Sequence, residues 1–173
     1  MTNPTTLLSP MQLATGDLEH ELATTRRMLE RLPEEHFAWK PHDKSMSLGA
    51  LASHIANLLW WQTTMLQQDG FDMAAPQPPR TAPESRAALL QEFDEKATVL
   101  REALAQTDEA TLAQPWTLRR GDHVIFTQPK AAILRGFGIS HMVHHRGQLS
   151  VYLRLLDVPV PPSYGPTADE GGM

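Results

Sequence analysis

Eight histidines and no cysteine in 173 residues leave imidazole as the main metal-binding and acid–base group of this chain. The histidines are His20, His36, His42, His54, His123, His141, His144 and His145. His141 and His145 stand four apart, so on a helix their side chains lie one above the other on one face. Two imidazoles so placed can reach one metal ion. The spacing alone is a weak signal in so histidine-rich a chain. The faces add to it. Leu134, Gly138, His141, His145, Gln148, Tyr152 and Leu155 share one stripe, and Leu51, His54, Leu58, Trp61 and Met65 share another. Three imidazoles on inward stripes of two facing helices are costly as plain core residues, because each needs hydrogen-bond partners or must stay neutral. A divalent cation taking one nitrogen from each of His54, His141 and His145 resolves that cost. Three protein ligands leave a coordination position open, the pattern of a catalytic or substrate-binding site. Imidazole suits zinc, nickel, copper and ferrous iron. No carboxylate shares these stripes near the histidines.

Other residues are weighed against that group. His144 lies about 100° round the helix from His145 and reads as a flanking residue. Arg146 and Gln148 are candidates to orient ligands or a substrate, with an inter-helix salt bridge as the alternative for Arg146. Trp61 and Tyr152 are candidate pocket walls. His20 reads as solvated, His36 and His42 fall in a loop, and His123 in a hairpin. No nucleophile elbow, P-loop, G-x-G-x-x-G or H-E-x-x-H occurs.

Four helical runs must position these residues. The first covers 9–32, with Ser9 and Pro10 as cap and first residue. Its inward stripe is Met11, Leu18, Leu22, Thr25, Leu29 and Leu32, and its polar side holds Asp17, Glu19, Glu21 and Arg26. The second starts at Ser45 or Ser47 and ends near 68, with Gly70 as a C-cap. A crossover at 69–83 follows, where Pro76, Pro78, Pro79 and Pro83 exclude helix and central strand. Its length permits the next helix to run parallel to the last. The third run spans 83–106, and 107–111 forms a turn or short helical piece. Residues 116–118 and 123–127 flank Arg120-Gly121-Asp122 as a small hairpin, with Gly121 at positive φ. The fourth run covers 129–156 and is stopped by Val158-Pro-Val-Pro-Pro162, after which the tail is irregular. The expected class is all-α, a four-helix bundle forming one domain over 1–173, with a core at about 9–157 and a tail at 158–173.

Composition narrows the functions. Lys and Arg total 15 against 20 Asp and Glu, a net charge of −5, so the basic footprint of a nucleic-acid binder is missing. No apolar run reaches the roughly 18 residues of a membrane span. The N-terminal stretch lacks the basic start and apolar run of a secretory signal, so a cytoplasmic location is expected. The absence of cysteine excludes disulfides, iron–sulfur clusters, thiolate zinc sites and a cysteine nucleophile.

The stretch His141-Met-Val-His-His145-Arg146-Gly147-Gln148 resembles the final helix of the DinB-like (DinB/YfiT) family. Trp39-Lys-Pro and Ser45-Met-Ser-Leu-Gly-Ala-Leu-Ala-Ser-His54 are similar to that family's second helix and its lead-in. The tail Val158-Pro-Val-Pro-Pro-Ser-Tyr-Gly-Pro-Thr-Ala-Asp-Glu170 is similar to one branch of it. The resemblance spans about 10–170. It implies a bundle in up-down-down-up order, a divalent ion (zinc, nickel or iron) on His54, His141 and His145, and a homodimer. It further implies a stress-related, metal-dependent hydrolase or thiol-dependent transferase acting on a small molecule, with a low-molecular-weight thiol as a possible second substrate. The alternative is a non-catalytic metal- or small-molecule-binding module, or a structural dimer.

Overall fold

A computed structural model describes residues 8–76 and 83–171 of the chain. Pro78, Pro79 and the middle of the expected crossover lie outside the described residues. The remainder is mainly helical around one apolar core, with a small three-stranded sheet at one side.

The first run is two helices, α1 (Pro10–Thr15) and α2 (Leu18–Glu30). A capping box starts α1: Ser9 Oγ accepts from the Gln12 amide, and Gln12 Oε1 accepts from the Ser9 amide at 2.9 Å. The expected continuous helix breaks at Gly16 and Asp17. Glycine is a poor helix former, and Asp17 turns out to an ion pair with Arg135 at 2.5 Å.

Helix α3 (Leu48–Gln67) starts where Ser47 Oγ accepts from the Ala50 amide. It is buried along most of its length. It packs against α4 (Arg86–Ala105), which Ser85 caps. The expected short piece is α5 (Glu109–Ala113), capped by Asp108.

The hairpin is present as β2 (Pro115–Arg120) and β3 (His123–Pro129), antiparallel, with Leu118 opposite Phe126 and Gly121 at φ +57°. A third strand, β1 (Gly70–Asp72), adds parallel to β2 and corrects the all-α expectation. The prolines of 69–83 begin only at Pro76, so 70–72 are free to pair. Gly70 is no helix cap. It sits in the strand, where a Cβ would fall 2.5 Å from the Thr117 carbonyl oxygen, so only glycine lets β1 approach β2 this closely. Asp72 Oδ1 accepts from the amides of Gly121 and Ala74, each at 2.9 Å, tying strand to turn.

The expected fourth helix arrives in three pieces: α6 (Lys130–Ile133), a π-helical segment (Leu134–Ser140) and α7 (His141–Leu155). π-Helical insertions within helices often mark functional sites. Here the segment packs against α3, with Gly138 beside the fully buried Gln62. A Cβ at 138 would lie 2.7 Å from Gln62 Cγ. Gly138→Ala should therefore overpack the contact and cost about 1–3 kcal/mol, read as a lower Tm. An unchanged Tm would show that Gln62 swings aside freely.

Two stripe assignments need correction. Leu155 is exposed, because it lies on the outer face of the last turn of α7, whose inward residue is Leu153. Glu21, placed on the polar side of the first run, is only 2% exposed because α2 is covered on a second face by α7 and the tail. That tail is irregular, as expected, but tied down. Arg154 pairs with Asp169 at 2.5 Å, Asp169 Oδ2 accepts from the Val160 amide, and Arg31 pairs with Glu170. Among the described residues no helix is long and apolar enough to cross a membrane.

Candidate metal centre

Helix α3 and helix α7 lie side by side and bring three imidazoles to one point. His54 comes from the second turn of α3, His141 opens α7, and His145 follows one turn later. One ring nitrogen from each lies within 4.8 Å of the other two. His54 and His141 are half-buried, and His145 is buried. The ring centroids of His54 stand 5.3 Å from His141 and 4.5 Å from His145.

The hydrogen bonds around the rings prepare them as ligands. Gln148 Oε1 lies 2.8 Å from His145 Nδ1. An amide oxygen only accepts, so Nδ1 carries the proton and Nε2 presents its lone pair to the centre. That Nε2 lies 2.9 Å from His141 Nε2. Two ring nitrogens that close need one proton or one cation between them. A set of nitrogen donors with one tautomer fixed by a neighbouring amide fits a borderline divalent cation.

Burial pushes the His141 pKa below its ordinary 6.5, with the neighbouring His145 acting in the same direction. Burial also lowers His145, partly opposed by its bond to Gln148. Both rings are therefore neutral near pH 7 and free to bind metal. Protons compete with the ion only once pH falls below 6.5. Zinc affinity should be nearly flat from pH 7 to 8 and fall steeply below about pH 6, measured by calorimetric titration in the same salt. The same shifts act on the metal-free fold. As pH falls, the unfolded chain takes up these protons before the folded one, so stability is lost below 6.5. Zinc affinity independent of pH down to 5 would contradict the assignment of these rings as ligands.

The other candidates separate cleanly. His144 is exposed, with its ring edge-on to His145 at 4.8 Å between centroids, and is not part of the three-nitrogen group. Gln148 is the orienting residue. Arg146 points away from the centre to an inter-helix ion pair, its Nη1 2.5 Å from Glu21 Oε2, so it orients no ligand. His20, His36, His42 and His123 are exposed and outside the group.

Beside His54 and His141 opens a cavity of about 220 Å³. Trp61 forms one wall, as expected. Tyr152 does not line it: its hydroxyl donates to the Met46 carbonyl and its ring meets Trp39 edge-on. Sequence reasoning missed the far wall, formed by Trp116 and Leu118 of β2, Phe126 of β3 and Phe137 of the π-helical segment. Trp116 and Leu118 alternate along β2 toward one face, and that period-two pattern was the available signal.

This geometry defines a class: mainly helical proteins in which two core helices hold a three-imidazole centre open to a cavity. Residues 8–171 match the DinB family, and the chain belongs to that family. It is 26% identical over 153 residues to the uncharacterized protein YrdA of Bacillus subtilis (strain 168), covering 88% of this chain and 86% of that one. Its fold is similar to that of a DinB-like protein from Bacillus cereus ATCC 10987, with TM-score 0.64 and 21% identity over 87% of this chain and 95% of the other. It is also similar in fold to a mycothiol-dependent maleylpyruvate isomerase, with TM-score 0.53 and 11% identity over 90% of this chain and 68% of the other.

Proposed function

We propose that this protein is a divalent-metal-dependent enzyme acting on a small molecule, as a hydrolase or a thiol-dependent transferase, with the up-down-down-up helix order of DinB-like bundles. The observation that carries the reading is the set of three imidazole nitrogens within 4.8 Å of one another at the end of a cavity. The fold likeness to a mycothiol-dependent enzyme supports the thiol branch.

His54, His141 and His145 hold the ion, and zinc, nickel or iron suits them. When bound, such an ion supplies Lewis acidity that lowers the pKa of a water or thiol toward neutrality. The protein's own residues do the rest. Gln148 keeps the His145 proton on Nδ1. The cavity walls exclude bulk water beside His54 and His141, which strengthens every charge interaction there.

The test compares chelated and zinc-reloaded protein, with metal content verified by elemental analysis. An ion held only by the folded state adds about 2.7 kcal/mol at a hundredfold excess over Kd, so Tm should rise by roughly 5–10 °C for a chain of this size. Equal Tm values with the metal shown to be removed would sink the metal reading. The same samples are assayed for thiol addition to a neutral aryl halide. Turnover that returns with the ion supports the enzyme. Zinc binding with no thiol turnover removes the transferase branch.

A further inference from the structure

The cavity beside the metal centre says what kind of molecule belongs there. Its walls are Trp61, Met73, Trp116, Leu118, Phe126 and Phe137, and the only polar residues among its described lining are His54 and His141 at one end. Among the described residues no Asp, Glu, Lys or Arg lines it. At about 220 Å³ it is larger than the roughly 150 Å³ apolar cavity that takes up benzene in an engineered protein. A fused two-ring aromatic is therefore the natural upper size. Aromatic walls favour flat rings through stacked and edge-to-face contacts. A charged group placed among these walls would lose its hydration and meet no counter-charge among the described residues.

Resting on the reading of the three histidines as a metal centre, we infer that the substrate is a neutral aromatic molecule of one or two rings. Its apolar body lies in this cavity, and its reacting polar atom lies at the histidine end. Charged groups stay outside the walls. Organic dianions, and molecules that must bury a charge at the far end, are excluded.

The test uses zinc-loaded full-length protein and two probes of equal ring size, 2-naphthol and naphthalene-2,7-disulfonate, by calorimetry and equilibrium dialysis. The disulfonate carries charge at both ends, so it cannot enter without burying one. 2-Naphthol should bind with Kd below about 1 mM, and the disulfonate at least about a hundredfold more weakly. Met73→Trp should weaken 2-naphthol binding by about tenfold or more, because Met73 stands at the rim, 44% exposed, where a larger side chain fills the cavity without entering the core. Circular dichroism and zinc titration of that variant confirm that it is folded and keeps its metal. Absent 2-naphthol binding, equal binding of the disulfonate, or an unaffected Met73→Trp would each overturn the inference. Repeating the titrations without zinc separates the two readings. If zinc does not bind but 2-naphthol does, the metal reading fails and the cavity assignment stands. If zinc binds but 2-naphthol does not, only the cavity assignment fails.

Discussion

His54→Ala, His141→Ala and His145→Ala each lower zinc affinity by well over a hundredfold, whereas His144→Ala leaves it nearly unchanged. Each of the first three removes a donor nitrogen from a set confined within 4.8 Å. Two donors cannot replace a third, and the lost ring leaves a polar gap beside the core. His144 is exposed and its ring lies outside that set. Gln148→Ala falls between, at roughly 10–100-fold, the usual cost of removing a residue that orients a ligand. It frees the His145 proton to move to Nε2 and so places the ring in the wrong tautomer for part of the time. Calorimetric titration of zinc into each metal-free variant reads all five values. If His144→Ala abolished binding while His145→Ala did not, the face assigned to α7 would be wrong, and the cavity would no longer adjoin the metal.

A second large effect belongs to stability. Arg146→Ala should destabilise the fold by about 3–5 kcal/mol, because it strands a carboxylate in the interior. Glu21 and Arg146 are each 2% exposed and link α2 to α7. Arg146 Nη1 lies 2.5 Å from Glu21 Oε2, but that approach is not aligned as a hydrogen bond, and Nη2 has no hydrogen-bond partner among the described residues. The surroundings complete the cluster. Nη1 also donates to the Glu21 carbonyl and to Thr25 Oγ1, each at 3.2 Å, and Tyr164 donates its hydroxyl to Glu21 Oε1 at 2.8 Å. The guanidinium lies 5.3 Å from the Tyr164 ring centre. Burial and the Glu21 carboxylate both push the Tyr164 pKa up, so it remains a donor at neutral pH. The double variant Glu21→Leu with Arg146→Met should recover most of the loss, since an apolar pair of similar volume is often no worse than a buried ion pair. Denaturant melts of the two single variants and the double variant close the cycle. A loss below about 1 kcal/mol for Arg146→Ala would mean that Glu21 is solvated after all.

Much of this was legible because helices declare themselves locally. Ser9-Pro10 and Ser47 start helices where cap chemistry says they should, though the third run starts after Ser85 rather than at the expected 83, and the stripe through Leu51, Leu58 and Met65 carries His54 into the interior. The triad was legible for the same reason, since i and i+4 positions on inward faces are local geometry. What escaped depends on distant partners. Strand β1 exists only because β2, more than forty residues later, offers an edge. Glu21 sits on the outward face by period alone and is buried because Arg146 and Tyr164 arrive from the far end of the chain. The aromatic wall of the cavity comes from a hairpin whose placement over α3 no local pattern encodes.

The π-helical segment before His141 makes the length of the chain there as consequential as its composition. If the same residues wound as an ordinary α-helix, without the wider π turn, all that follows would turn by about 100°. His141 and His145 would then leave His54, and Arg146 would leave Glu21, in the same step. The metal centre and the buried ion pair are thus aligned together by one wide turn. A descendant that lost the wide turn but kept the chain length would have to rebuild both at once, whereas one that lost a single residue with it could keep both.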